Sequence, residues 1–178
     1  MGWLETRYHW KVQAEHLVFL PGVAVGFNLA IQALTENNKA ILTHTPIYPP
    51  FLKVGEQADR PMVESQLVVD KNNRYQIDFD QFEKALEDDC GTFLMCNPHN
   101  PTGRVFEKAE LTRMAEACLR NQIVICSDEI HCDLIFSGNQ HIPIASLDPE
   151  IAAKTVTLLA PSKTFNVPQT CKPATCAV

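Results

Sequence analysis

The sequence predicts an α/β fold, a three-layer sandwich on a mainly parallel sheet, from two observations. Apolar segments of strand length alternate with segments of helical period, which is the pattern of parallel strands joined by covering helices. The links between them are short, as consecutive βαβ units require. The longest apolar runs, Ile123-Val-Ile-Cys126 and Val156-Thr-Leu-Leu-Ala160, are strand-sized and fall far short of the ~20 residues of a membrane-spanning helix.

In chain order, residues 2–10 read as the end of a helix and 17–20 as a short buried strand. Residues 25–35 read as a helix with Phe27, Ala30, Ile31 and Leu34 at helical spacing, its start framed by Gly22 and Gly26. A second strand follows at 40–43, a helix opened by proline at 49–57 and a third strand at 62–69. Asp78 or Asp80 can cap a helix running to about Leu86, and 92–96 is again strand. The loop Asn97-Pro-His-Asn-Pro-Thr-Gly103 ends it, because two Asn-Pro steps forbid continuation. Helix 107–120 gathers Leu111, Met114, Ala115, Cys118 and Leu119 on one face; strand 123–126, an irregular stretch with Pro143 and strand 155–159 complete the pattern. Residues 1–166 form one unit. Residues 167–178 read as an irregular tail, with two prolines, no periodicity and no turn chemistry leading to another element.

Composition narrows the function. At 46% hydrophobic and 20% charged, the 178 residues suit an ordinary globular chain with one core. A net charge of −6 without a basic block gives no electrostatic reason to bind nucleic acid or an anionic membrane, so a small-molecule partner is expected. The N-terminus lacks a basic stretch followed by an apolar one, from which a cytoplasmic location is expected. Seven cysteines is an odd number, and Cys90, Cys96, Cys118, Cys126 and Cys132 sit in or beside regular elements, so reduced thiols are expected. Neither His131-Cys132 nor the Cys171 and Cys176 pair has metal-ligand spacing, and no metal is expected.

Five places at the carboxyl ends of expected strands could carry chemistry, and in an open α/β sheet they would converge on one edge. Pro21-Gly-Val-Ala-Val-Gly26 lies between strand and helix, presenting free backbone N–H groups at the positive end of a helix dipole, an anion site in prospect. Tyr48 is held on a stiff turn between Pro46 and Pro49, as a lid over a flat ligand would be. Asn100 presents its amide from a loop stiffened by Pro98 and Pro101. Asp128 ends a buried run, where a carboxylate needs hydrogen bonds or a cation, and a protonated ring nitrogen would serve. Lys163, in Pro161-Ser-Lys, follows an apolar run that would desolvate it and favour the neutral amine needed to react with an aldehyde; Ser162 could donate to a phosphate oxygen.

Taken in order, Pro21-Gly-Val-Ala-Val-Gly26, Thr45-Pro-Ile-Tyr-Pro-Pro-Phe51, Asn97-Pro-His-Asn-Pro-Thr-Gly103, Ser127-Asp-Glu-Ile-His131 and Ser162-Lys-Thr-Phe-Asn166 resemble the class I/II aminotransferase-like, fold-type I pyridoxal 5′-phosphate (PLP) enzymes, over roughly residues 3–166. The resemblance implies that Lys163 holds the cofactor aldehyde and shuttles the substrate α-proton. Asp128 would pair with the pyridinium nitrogen, Asn100 bond the ring 3-oxygen and Tyr48 stack on the ring. The N–H groups of Val23 and Ala24, with Ser162, would hold the phosphate. His131 stands where many relatives have tyrosine as a second 3-oxygen partner. Asp-Glu-Ile-His and Asn-Pro-His-Asn-Pro are similar to the cystathionine β-lyase or cysteine-S-conjugate β-lyase subgroup, implying a carbon–sulfur β-lyase of an amino-acid substrate that yields thiol, pyruvate and ammonia. An aminotransferase and a non-catalytic PLP-binding remnant are the alternatives. The resemblance further implies an incomplete large domain, truncated at both ends and inactive alone, from a family that is usually homodimeric.

Overall fold

The structure is a computed structural model describing residues 2–167 and 174–177. Helix α1 (Gly2–Tyr8) leads to strand β1 (Leu17–Leu20), helix α2 (Val23–Leu34), β2 (Ala40–Thr45), α3 (Pro49–Ala58) and β3 (Met62–Gln66). The short strands β4 (Val68–Val69) and β5 (Tyr75–Gln76) precede α4 (Phe79–Leu86), β6 (Cys90–Cys96), α5 (Lys108–Arg120) and β7 (Val124–Asp128). The short helix α6 (Pro149–Ala152), β8 (Thr155–Leu159), the one-turn α7 (Pro161–Thr164) and β9 (Ala174–Ala177) complete the order.

Seven strands form one sheet in the order β1-β9-β8-β7-β6-β2-β3, and the run from β8 to β3 is parallel throughout. Strand β9 lies antiparallel between β1 and β8. The chain is therefore α/β with a mainly parallel sheet, as expected. The period-2 alternation of strand side chains builds a core on each face. On β6, Phe93 and Met95 join Leu42, Phe82, Leu111 and Met114 beneath α4 and α5, whereas Leu94 and Cys96 join Phe27, Ile31, Phe51 and Leu158 beneath α2 and α3. Burying a side chain of this size is worth roughly 1.5–3 kcal/mol, so the two apolar layers fix the sheet and with it the direction of every strand end.

Caps set the helix starts. The Asp78 carboxylate accepts from the Gln81 N–H and begins α4, while Glu107 and Glu110 form a reciprocal capping box at α5. Glycine sets one close approach: a Cβ on Gly26 would lie 3.0 Å from Leu158 and 3.2 Å from Leu20, so its absence lets α2 sit down on β8 and β1.

Three expectations are corrected. The strand at 17–20 is not buried: Val18 and Phe19 are exposed, because β1 is the sheet's edge and pairs with β9 alone. Residues 62–69 are not one strand. After Gln66 the chain leaves the main sheet, and Val68–Val69 pairs instead with Tyr75–Gln76 across a turn in which Asp70 accepts from the N–H groups of Asn72 and Arg74. The tail is not irregular throughout, since Ala174–Ala177 finds ladder partners on both sides; residues 168–173 lie outside the described residues. Cys90, Cys96, Cys118 and Cys132 are buried free thiols, and Cys126 is buried in the core. No helix among the described residues is long and apolar enough to cross a membrane.

Candidate functional site

Because β2, β6, β7 and β8 run parallel, their carboxyl ends open on one edge of the sheet, and β1, antiparallel to β9 as β8 is, delivers its turn to the same edge. A cavity of about 570 Å³ lies there. Val23, Ala24, Tyr48, Asn100, Asp128, His131, Ser162 and Lys163, the eight residues singled out in the sequence, all line it, together with Phe27, Phe51, Cys96, Ile130, Asn166 and Val167.

Helix α2 begins at Val23 with no side-chain cap and no acidic residue in its first turn. Its first intrahelical bond is that of the Gly26 N–H to the Gly22 carbonyl, 2.8 Å, which leaves the N–H groups of Val23 and Ala24 without intrahelical acceptors. The helix dipole adds positive potential at the same point. Ser162 and Lys163 line the same cavity from α7, so a hydroxyl, a lysine and free N–H groups open on one space suited to an anion.

Asp128 is the last residue of β7, opposite Cys96 and Leu158 in the neighbouring strands, and it is 5% exposed. Burial pushes its carboxyl up to about 7; the Ile130 N–H, donating to Oδ1 at 3.0 Å, opposes this, and the neighbouring Glu129 charge adds to it. A carboxylate held so poorly by its surroundings favours a cationic partner in the cavity. His131, three residues on, is held below the usual histidine range by partial burial and by the charge of Lys163, so it stands neutral at neutral pH.

The Tyr48 N–H donates to the Asn100 carbonyl at 3.1 Å, which ties the β2 loop to the β6 loop and fixes two of the cavity's walls together. Behind the Asn100 loop, the Gly103 N–H donates to the His99 carbonyl and the His99 N–H to the Arg104 carbonyl, both at 2.7 Å. His99 itself is buried and pushed down to about 4 by desolvation and then by the Arg104 charge, so it packs as a neutral ring. One expectation fails: Lys163 is exposed, not desolvated by the apolar run before it, because α7 carries it beyond the last buried residue of β8.

Two clusters went unnoticed in the sequence. Glu129, fully buried, accepts from Ser127 Oγ at 2.9 Å and the Ile144 N–H at 3.2 Å and pairs with His141 at 2.8 Å, bracing the strand end that carries Asp128. Asp133 accepts from Arg7 Nε at 3.1 Å, from the Tyr8 hydroxyl and from Thr164 Oγ1 at 2.7 Å. Partners 12, 31 and 126 residues apart leave no periodic signal. Among the described residues, no group of three or more His, Cys, Asp or Glu side chains is placed to hold a metal ion.

Comparison with known proteins bears on the fold and the family. The sequence matches the aminotransferase class I and II family over residues 1–170. It is 41% identical over 167 residues to the cystathionine β-lyase PatB of Bacillus subtilis, covering 93% of this chain and 43% of that protein. The fold superposes with a TM-score of 0.95 on a PLP-bound protein from Clostridium difficile 630 described as an aminotransferase, at 37% identity, covering 99% of this chain and 45% of that one. A PLP-bound C-S lyase from Staphylococcus hominis gives a TM-score of 0.93 at 32% identity, covering 99% of this chain and 45% of that one. The chain thus spans somewhat less than half the length of the relatives it matches.

Proposed function

The chain belongs to the aminotransferase class I and II family, and from that premise we propose that it forms the cofactor-binding part of a PLP-dependent carbon–sulfur β-lyase that releases thiol, pyruvate and ammonia from cystathionine or a related cysteine S-conjugate. The observation that carries the reading is the meeting, in one cavity, of a buried carboxylate in need of a cation, a lysine and an uncapped helix N-terminus.

The residues present fit PLP. The N–H groups of Val23 and Ala24 and the hydroxyl of Ser162 would hold its phosphate, an assignment supported by the absence of a cap or an acidic side chain at the start of α2. Asp128 would hold the protonated ring nitrogen, which turns an unfavourable buried charge into an ion pair. Asn100 would donate its amide to the ring 3-oxygen, and His131, neutral, would serve the same oxygen from the other side. Tyr48, partly exposed and anchored through its N–H to Asn100, would cover the ring face. Once bound, PLP supplies an electron sink that stabilises a carbanion at the substrate Cα. Lys163 would hold the cofactor aldehyde and then move the α-proton, its exposure giving its amine room to travel between the two tasks. Loss of a thiolate from the substrate Cβ would follow.

The likeness to a protein described as an aminotransferase favours a second reading, amino transfer to a 2-oxo acid on the same residues. Reaction products separate the two. The test takes the purified chain with PLP and reads the absorbance band of lysine-bound cofactor, then supplies cystathionine and measures pyruvate. The chain alone is expected to give a weak band that Lys163→Ala abolishes, and no appreciable pyruvate, because among the described residues lining the cavity there is no arginine to seat a substrate carboxylate. Holding a substrate in reacting geometry is worth ~7–11 kcal/mol, so its loss is costly. A complete enzyme containing this chain is expected to show the band and release pyruvate. A band that survives Lys163→Ala would sink the site assignment; amino transfer without pyruvate by the complete enzyme would favour the second reading.

A further inference from the structure

The two residues after Lys163 are both tied to helix α1, Thr164 through Asp133 and Phe165 directly. Thr164 Oγ1 donates to Asp133 Oδ2 at 2.7 Å, and the other oxygen of the same carboxylate accepts from Arg7 Nε at 3.1 Å and from the Tyr8 hydroxyl. Phe165 packs on Trp3, ring centroids 5.8 Å apart, and the Arg7 guanidinium lies 5.6 Å over the Trp3 ring. The Asp133 side chain is 7% exposed; its hydrogen bonds from Tyr8 and Thr164 are part-buried, that from Arg7 is exposed, and all three are charge-assisted. Its carboxyl is held below the usual range despite burial, by Tyr8, Thr164 and Arg7 in that order, and it stays ionised at neutral pH. Helix α7 has only one turn and no side-chain cap, so little within α7 itself fixes the direction of Lys163.

We propose that Asp133 is a positioning residue for Lys163: by holding Thr164 to Arg7 and Tyr8, it locks the turn that aims the lysine into the cavity, and α1 is thereby a working part of the cofactor site. This rests on the assignment of Lys163 as the PLP-binding lysine. Asp133 touches neither cofactor nor substrate; it sets the orientation from which the amine meets an aldehyde, an effect sensitive to displacements of about an ångström. Arg7 and Tyr8 supply the remaining donors, so that the ionised carboxylate does not pull the Thr164 hydroxyl out of line.

The test uses the 178-residue chain with PLP and borohydride, measuring the rate at which cofactor is fixed on Lys163, located by peptide mass, and the pH titration of the absorbance band. Thr164→Val removes one hydrogen bond at nearly constant shape, Thr164→Ser restores the hydroxyl, and Asp133→Asn weakens all three contacts. Thr164→Val is expected to slow fixation roughly tenfold, the order for losing one hydrogen bond to a charged group, with circular dichroism unchanged. Thr164→Ser should recover most of that rate, and the band of Asp133→Asn should titrate at a different pH from the parent. If the parent fixes PLP on Lys163 and Thr164→Val does so at the same rate, the positioning role is wrong and the proposed function stands. If the parent fixes no PLP on Lys163, the proposed function itself fails and takes this inference with it. Should Asp133→Asn not fold, the Thr164 pair decides alone.

Discussion

Asp128 is predicted to weaken the cofactor-free chain for the sake of the site, and Asp128→Asn measures by how much. Raising its carboxyl from 3.8 to about 7 places on the order of 4 kcal/mol, as an upper bound, on the ionised form when no cation pairs with it. Between those two pH values the folded chain keeps the proton while the unfolded chain releases it. Folded molecules thus bind more protons, and stability falls as pH rises from about 4 to about 7, then levels off. Asparagine is neutral and nearly isosteric, and its side-chain oxygen can still accept from the Ile130 N–H. The variant should therefore be more stable than the parent at pH 8, by at least about 1 kcal/mol, and close to it at pH 4, while binding PLP more weakly because the ring nitrogen loses its anion. Urea denaturation of both proteins at several pH values, without and with PLP, reads both effects. A parent that gains stability relative to the variant between pH 4 and 8, or a variant that binds PLP as tightly as the parent, would refute the reasoning.

Three further outcomes are expected. Tyr48→Ala should weaken PLP binding roughly threefold to tenfold through lost stacking and leave the melting temperature nearly unchanged, since Tyr48 is 43% exposed; fluorescence titration with PLP checks it. Gly26→Val should cost about 1–3 kcal/mol in urea denaturation, because its Cβ would meet Leu158 at 3.0 Å and Leu20 at 3.2 Å, and an unchanged midpoint would show that α2 does not press on the sheet as described. Glu129→Ala should cost about 3 kcal/mol or more, leaving His141, Ser127 and the Ile144 N–H without their buried acceptor; a loss below about 1 kcal/mol would mean the cluster is not structurally coupled.

Much of the site was legible because its residues sit where local pattern and topology coincide. Asp128 and Lys163 each follow an apolar run, Tyr48 and Asn100 are framed by prolines, and Val23 and Ala24 open a helix after glycine. Once strands are parallel, such residues must share an edge. What escaped depends on tertiary neighbours. The exposure of Val18 and Phe19 follows from β1 lying at the sheet's edge, which an apolar tetrapeptide does not announce. The break after Gln66 hangs on a turn organised by Asp70, inside what reads as one apolar-rich segment. Strand β9 is held by ladder bonds to β1 and β8 on either side, and its four residues show no periodicity long enough to read. The exposure of Lys163 reflects one helical turn, and the Asp133 and Glu129 clusters join residues that only the fold brings together.

The central claim, that Val23, Ala24, Tyr48, Asn100, Asp128, His131, Ser162 and Lys163 make one PLP site, is tested most directly by a crystal structure of the chain grown with PLP. The account predicts cofactor density in the 570 Å³ cavity, joined to Lys163, with its phosphate on the Val23 and Ala24 N–H groups and its ring nitrogen facing Asp128. Cofactor joined to another lysine, or seated in this cavity with its phosphate turned toward Asp128, would contradict it.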